Sequence, residues 1–198
     1  MMRKIYVIRH GETEWNRLRY FQGQTDIPLN ENGRLQAARL ADELKGVLPF
    51  DRIVSSDLVR ATETAEILNR GYNMPILVDP GLREVHFGEW EGLDADTINR
   101  QWPGELQKWF ETGQLQAPGG EPPEMFGDRV WQSFRHWAEM GDYQKMAILT
   151  HGGTCRMLMN AIQEKPLRES TAFIMKNTET LIVNVDDQGR YSIEAMQQ

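Results

Sequence analysis

The chain has 198 residues and a formal net charge of −7, enough for one domain that buries about 70% of its unfolded surface. With 22 Lys and Arg against 29 Asp and Glu and no basic run, it is not built to bind nucleic acid non-specifically, and any anion site must come from a local cluster. The single cysteine, Cys155, excludes an intrachain disulfide framework and fits a reducing cytosol.

Residues 4–8, KIYVI, predict a short buried strand. Only the four apolar residues Ile5 to Ile8 follow the charged lead, too few for a secretory signal core. No stretch approaches the ~20 apolar residues of a membrane helix. A cytoplasmic location without a membrane partner is the expectation. Asn30 caps a helical pattern running to about Leu48, with Ala37, Leu40, Ala41, Leu44 and Leu48 on one face. Residues 52–54, RIV, predict a second strand. Ser55-Ser56-Asp57 then open a helix to about Asn69, with Leu58, Ala61, Ala65 and Leu68 inward. Residues 76–78, ILV, and 146–150, MAILT, predict a third and a fourth strand. His151-Gly152-Gly153 follow, and a helix from about Thr154 to Ile162. TLIVNV and YSIEAM, split by Asp186-Asp187-Gln188-Gly189, predict a hairpin.

Residues 91–143 differ in character. They carry Trp102, Trp109, Trp131 and Trp137, a Pro-Gly break at 117–123, and a helical stripe of Phe126, Val130, Phe134 and Trp137. The expectation is a single domain over residues 1–198, an α/β three-layer sandwich with a mainly parallel central sheet flanked by helices. A helical insertion over about 91–143 packs near the C-terminal ends of the strands. The tryptophans either cover the site or form a homodimer contact.

Charged side chains recur where strands end. Arg9-His10-Gly11 follows the first strand, Ser55-Ser56-Asp57 and Arg60 the second, Arg83-Glu84 the third, His151-Gly152-Gly153 the fourth. Two cationic side chains at a strand end are costly to bury unless an anion meets them. Parallel strands would bring all four groups to the carboxyl edge, where open α/β sheets bind ligands. Arginine forks match phosphate oxygens, and glycines opening a helix can offer N–H groups to an anion. A neutral imidazole is a competent nucleophile near pH 7, and a carboxyl can hand a proton to a leaving oxygen. The set fits phosphoryl transfer on a small-molecule phosphate ester. No metal ligand spacing is present, so no metal or other cofactor is expected.

Five motifs in register, IRHGETEWN, FQGQTDIPLNENG, SSDLVRATETA, LREVHFGEWEG and THGG, resemble those of the histidine phosphatase superfamily, the phosphoglycerate-mutase-like group, over nearly the whole chain. The resemblance implies that His10 becomes a phosphohistidine, that Arg9, Arg60 and His151 form the phosphate pocket, and that Asn16 and the Gly152 N–H join it. It implies Glu84 as proton donor and places Gln22 and Gly23 on a substrate-facing loop. Glu12, Glu89 and Glu91 are the carboxylates that compete with Glu84 for the acid's role. His86 and His136 are read as structural, and Cys155 as a buried inert thiol.

Within the group the same pocket serves phosphatases and mutases. Phosphoglycerate mutases that use a bisphosphoglycerate cofactor are usually longer, with a basic segment after the third strand. Here residues 93–114 are acidic and aromatic, which favours hydrolysis. FGEWEG before a tryptophan-rich segment is similar to α-ribazole phosphatases and to broad-specificity phosphatases, so the expected reaction is metal-independent phosphomonoester hydrolysis, with α-ribazole 5'-phosphate as one substrate. The alternatives are a mutase and a non-catalytic binder of phosphate ligands. One departure stands out: the family often has Gly-Gly-Glu-Ser where this chain has Gly119-Gly120-Glu121-Pro122, and proline offers neither hydroxyl nor N–H.

Overall fold

In the computed structural model, which describes residues 2–112, 116–165 and 175–197, alternation along the strands splits the core into two layers. Ile5 and Val7 of β1 (Arg3–Arg9) and Met146 and Ile148 of β4 (Lys145–Thr150) face one cluster. Tyr6, Ile8, Ala147 and Leu149, the residues between, face the other. Both faces of these central strands are therefore buried, and each buried aliphatic side chain contributes about 1.5–3 kcal/mol. A near-continuous apolar run is what a two-sided sheet requires.

The sheet order is β3-β2-β4-β1-β5-β6, where β2 is Arg52–Ser55, β3 Ile76–Val78, β5 Thr180–Val185 and β6 Tyr191–Gln197. The pairs β1–β4, β2–β4 and β2–β3 are parallel. The predicted hairpin forms, and β5 runs antiparallel to β1. Helices α2 (Glu31–Glu43) and α3 (Val59–Leu68) cover one face; α6 (Pro123–Glu139) and α7 (Gly152–Ile162) cover the other. This is the expected three-layer α/β sandwich. Among the described residues no helix is long and apolar enough to cross a membrane.

Local chemistry explains where the predicted bounds move. Helix α2 ends at Glu43, and Leu44–Gly46 tighten into a 3₁₀ turn before Pro49. Helix α7 begins at Gly152, two residues earlier than predicted, with His151 as its N-cap. A short helix absent from the prediction, α1 (Glu14–Leu18), is nucleated by a capping box in which Thr13 and Asn16 bond each other's backbone N–H.

The segment expected as one insertion divides in two. Phe126, Val130, Phe134 and Ala138 of α6 belong to the main core, so α6 is a flanking helix of the sheet rather than a cap over its end. The other part holds α4 (Ala95–Gln101) and α5 (Glu105–Thr112). It forms a separate cluster in which Trp90, Ile98 and Leu106 are buried and Phe21, Trp102 and Trp109 pack around them.

Candidate active site

The register of β1 on β4 pairs Arg9 with Thr150. One residue further on in each strand, His10 and His151 lie side by side, ring centroids 5.1 Å apart. The His10 Nδ1 hydrogen bonds the Gly11 carbonyl at 2.7 Å. A carbonyl only accepts, so Nδ1 carries the proton and Nε2 keeps its lone pair. Burial, then Arg60, then Arg9, hold the His10 pKa well below its ordinary value, so the ring is neutral at pH 7.

Arg60 stands in the first turn of α3, and its donors are tied down on three sides. Its Nε meets His151 Nδ1 at 3.2 Å, Nη1 the Thr25 carbonyl at 2.9 Å, and Nη2 the Gly23 carbonyl at 2.7 Å. One N–H on each Nη is left over among the described residues. Burial pulls this guanidinium down to about 10, still charged at neutral pH. Arg9 donates through Nη1 to the Met175 carbonyl, while its buried Nε has no partner among the described residues. An orphaned buried donor of this kind is costly, and a phosphate oxygen would satisfy it.

Glu84 leaves the 3₁₀ turn Pro80–Leu82 and reaches the start of α7. The Gly153 N–H donates to its Oε2 at 2.8 Å and the Val85 N–H to its Oε1 at 3.0 Å. Gly153 is required for this approach, because a Cβ there would lie 2.3 Å from Glu84 Oε1. The competing carboxylates are otherwise engaged or exposed. Glu12 accepts from Asn30 Nδ2 at 2.8 Å. Glu91 accepts from the backbone N–H groups of Gln24, Thr25 and Phe87. Glu89 is exposed.

A cavity of about 430 Å³ opens over these groups. Arg9, His10, Asn16, Gln22, Gly23, Arg60, Glu84 and Gly152 all line it. His151, the remaining expected member, does not. It is wholly buried behind the wall, with Nδ1 accepting from Arg60 and Nε2 2.9 Å from Ser56 Oγ. That pattern protonates Nε2 and leaves the ring neutral, and burial followed by Arg60 holds its pKa well below the usual value. The Asn16 Oδ1 accepts from the Thr13 N–H at 3.1 Å and from Asn177 Nδ2 at 3.2 Å, which leaves its own Nδ2 for a ligand. Thr13 Oγ1 donates to Gln22 Oε1 at 2.8 Å.

The structure adds residues the motifs did not single out. Arg156 lines the cavity with its guanidinium 5.3 Å above the Trp109 ring. Its place on α7 signals it, four residues and one turn after Gly152. Asn177 bonds the His10 carbonyl at 3.0 Å. Phe21, Phe87 and Trp109, in edge-to-face contact with one another, make an aromatic part of the cavity wall. His136 is exposed, and burial pushes the Cys155 thiol pKa up, so neither joins the site.

A model of the family described as "Histidine phosphatase superfamily (branch 1)" matches residues 5–197. The chain is 32% identical over 195 residues to "Phosphoglycerate mutase-like protein 4" of Arabidopsis thaliana, covering 96% of this chain and 83% of that protein. A solved mycobacterial glucosyl-3-phosphoglycerate phosphatase, in complex with VO3, is 30% identical with a TM-score of 0.86 over 97% of each chain. The α-ribazole phosphatase of Shigella flexneri shares the fold, with a TM-score of 0.88 at 24% identity over 98% of this chain and 96% of that one.

Proposed function

The chain belongs to the histidine phosphatase superfamily, and from that premise we propose that it hydrolyses a small-molecule phosphomonoester, without a metal, through a phosphohistidine on His10. The carrying observation is the His10 ring itself. Its Nδ1 proton is held by the Gly11 carbonyl, and it is kept neutral in a wall that also holds Arg9 and Arg60.

The steps follow from these groups. His10 Nε2 attacks phosphorus while the bond to the ester oxygen breaks. The unused N–H groups of Arg9 and Arg60, the Asn16 amide and the Gly152 N–H meet the equatorial oxygens and share their charge. Glu84, protonated for this step, gives its proton to the departing alkoxide. Water then attacks the phosphohistidine, Glu84 takes its proton, and inorganic phosphate leaves with His10 restored. His151 works one layer back, fixing the direction of the Arg60 fork.

The aromatic wall supports an ester whose alcohol carries a ring or hydrocarbon surface, and α-ribazole 5'-phosphate is one such ester. A second reading, transfer back to a bound phosphoglycerate, is favoured by the likeness to the Arabidopsis mutase-like protein. The test is phosphate release from α-ribazole 5'-phosphate, phosphoglycerates, sugar phosphates and an aryl phosphate in EDTA, with His10→Ala beside the wild type. Hydrolysis should persist in EDTA and fall by three or more orders of magnitude (about 10³-fold) in the variant. Isomerised phosphoglycerate without free phosphate would establish the mutase. Vanadate binding without turnover of any ester would leave a binding protein.

A further inference from the structure

Arg129, on α6, uses all five of its N–H donors on protein acceptors. Nε and Nη2 fork onto the Glu121 carboxylate at 2.9 and 2.7 Å. Nη1 donates to the carbonyls of Gly81 and Arg83 at 2.9 and 3.0 Å, and Nη2 also to that of Glu84 at 3.3 Å. Glu121 grips the same loop further on: its N–H donates to the His86 carbonyl at 2.8 Å, and its Oε2 accepts from the His86 N–H at 3.4 Å. The pair therefore holds the backbone of residues 81–86 at several points along its length. Arg129 is not on the cavity wall. The carboxyl of Glu84 depends on where this loop stands, because it must reach the Gly153 N–H.

We propose that Arg129, fixed by Glu121, is a positioning residue for the acid step, setting the Glu84 carboxyl against the start of α7 so that it meets the leaving oxygen. The proposal rests on the reading of Glu84 as proton donor given above. It also assigns a task to the Glu121 that survives beside Pro122, where the family's serine is lost. A bidentate arginine–carboxylate pair fixes both partners in one plane, and a displacement of about 1 Å at a reacting group can cost 10²-fold in rate.

The experiment compares an alkyl phosphate, whose leaving oxygen needs a proton, with an aryl phosphate, which leaves without one. Arg129→Gln should lower kcat/KM, which reports ester cleavage and not the later hydrolysis in which Glu84 also serves, about 10-fold or more for the alkyl ester, with the aryl value held within about 3-fold. Arg129→Lys, which keeps the charge but supplies no planar fork, should recover only part of the alkyl rate. It carries the comparison if the glutamine variant does not fold. In the double variant with Glu84→Gln, the second substitution should add no further loss, because Arg129 acts through Glu84. A parallel fall in kcat/KM for both esters, or a multiplicative loss in the double variant, would overturn the proposal and reduce Arg129 to a structural brace. An unchanged alkyl-to-aryl ratio in Glu84→Gln alone would remove Glu84 as the acid, and the positioning role with it, while leaving phosphohistidine chemistry to the His10→Ala result.

Discussion

His10 and His151 are held neutral by the surroundings that make the phosphate pocket, and that has a measurable cost. Burial, Arg60 and Arg9 lower the pKa of both rings. In an unfolded chain each would titrate near 6.5. Below that pH the unfolded state takes up protons that the folded state refuses, so stability falls as pH falls. The loss approaches about 1.4 kcal/mol per pH unit for each ring. The melting temperature should therefore drop between pH 7 and pH 5, and His10→Asn should flatten part of that drop. The same depression keeps the nucleophile competent in acid, so a ring signal of His10 titrating near 6.5 in the folded protein would contradict the account. At this scale the sequence was informative about charge and silent about depth. The run Arg9-His10 announced cations that need an anion, and the structure leaves Arg9 Nε without a partner among the described residues. Nothing in Thr150-His151-Gly152 says that the His151 ring turns behind the wall, because that follows from Ser56, in the loop after β2, and Arg60 on α3.

Two glycines let an element come close enough to shape the site. At the start of α2, a Cβ on Gly33 would lie 2.0 Å from the Glu12 carbonyl oxygen, and one on Gly11 would lie 2.5 Å from the Gly33 oxygen. Asn30 completes the contact, its backbone N–H meeting the Glu12 carbonyl at 3.0 Å. Gly33→Ala should gain about 1 kcal/mol of helix propensity. The atoms it meets are backbone and cannot turn aside, so overpacking of about 1–3 kcal/mol should outweigh the gain. The expected outcome is a lower melting temperature and a lower kcat, since the Gly11 carbonyl that holds His10 Nδ1 must shift. An unchanged melting temperature and rate would show that α2 can retreat without cost. Elements with strong period were legible: α3, α6, the strands and the closing hairpin. Helix α1 was not, because it has only five residues, none of them buried, and exists through its capping box. The division of 91–143 was equally hidden. One amphipathic stripe, Phe126 to Phe134, looks the same whether it packs on the sheet or on an insertion.

Over the whole molecule, a chain of net charge −7 concentrates cations at one sheet edge and holds them there with backbone carbonyls rather than carboxylates. Arg60 spends donors on Gly23 and Thr25, and Arg9 on Met175. Burial of these guanidinium groups carries a cost that the nearby Glu84 charge offsets only in part and that an anionic ligand would offset further. A phosphate analogue should therefore stabilise the entire domain. A ligand that binds only the folded state at 100 times its Kd adds about 2.7 kcal/mol. For a domain of this size that corresponds to a rise of about 5–11 °C in melting temperature. Orthovanadate is the probe, added to protein stripped of metal with EDTA and then freed of the chelator, because it can take the five-coordinate shape of the transferring phosphoryl group. The rise should survive metal removal and shrink sharply in Arg60→Gln, which removes the fork while leaving His10 in place. No shift with vanadate in the wild type, or a shift only when a divalent metal is added, would mean that the arginine cluster alone does not complete the anion site.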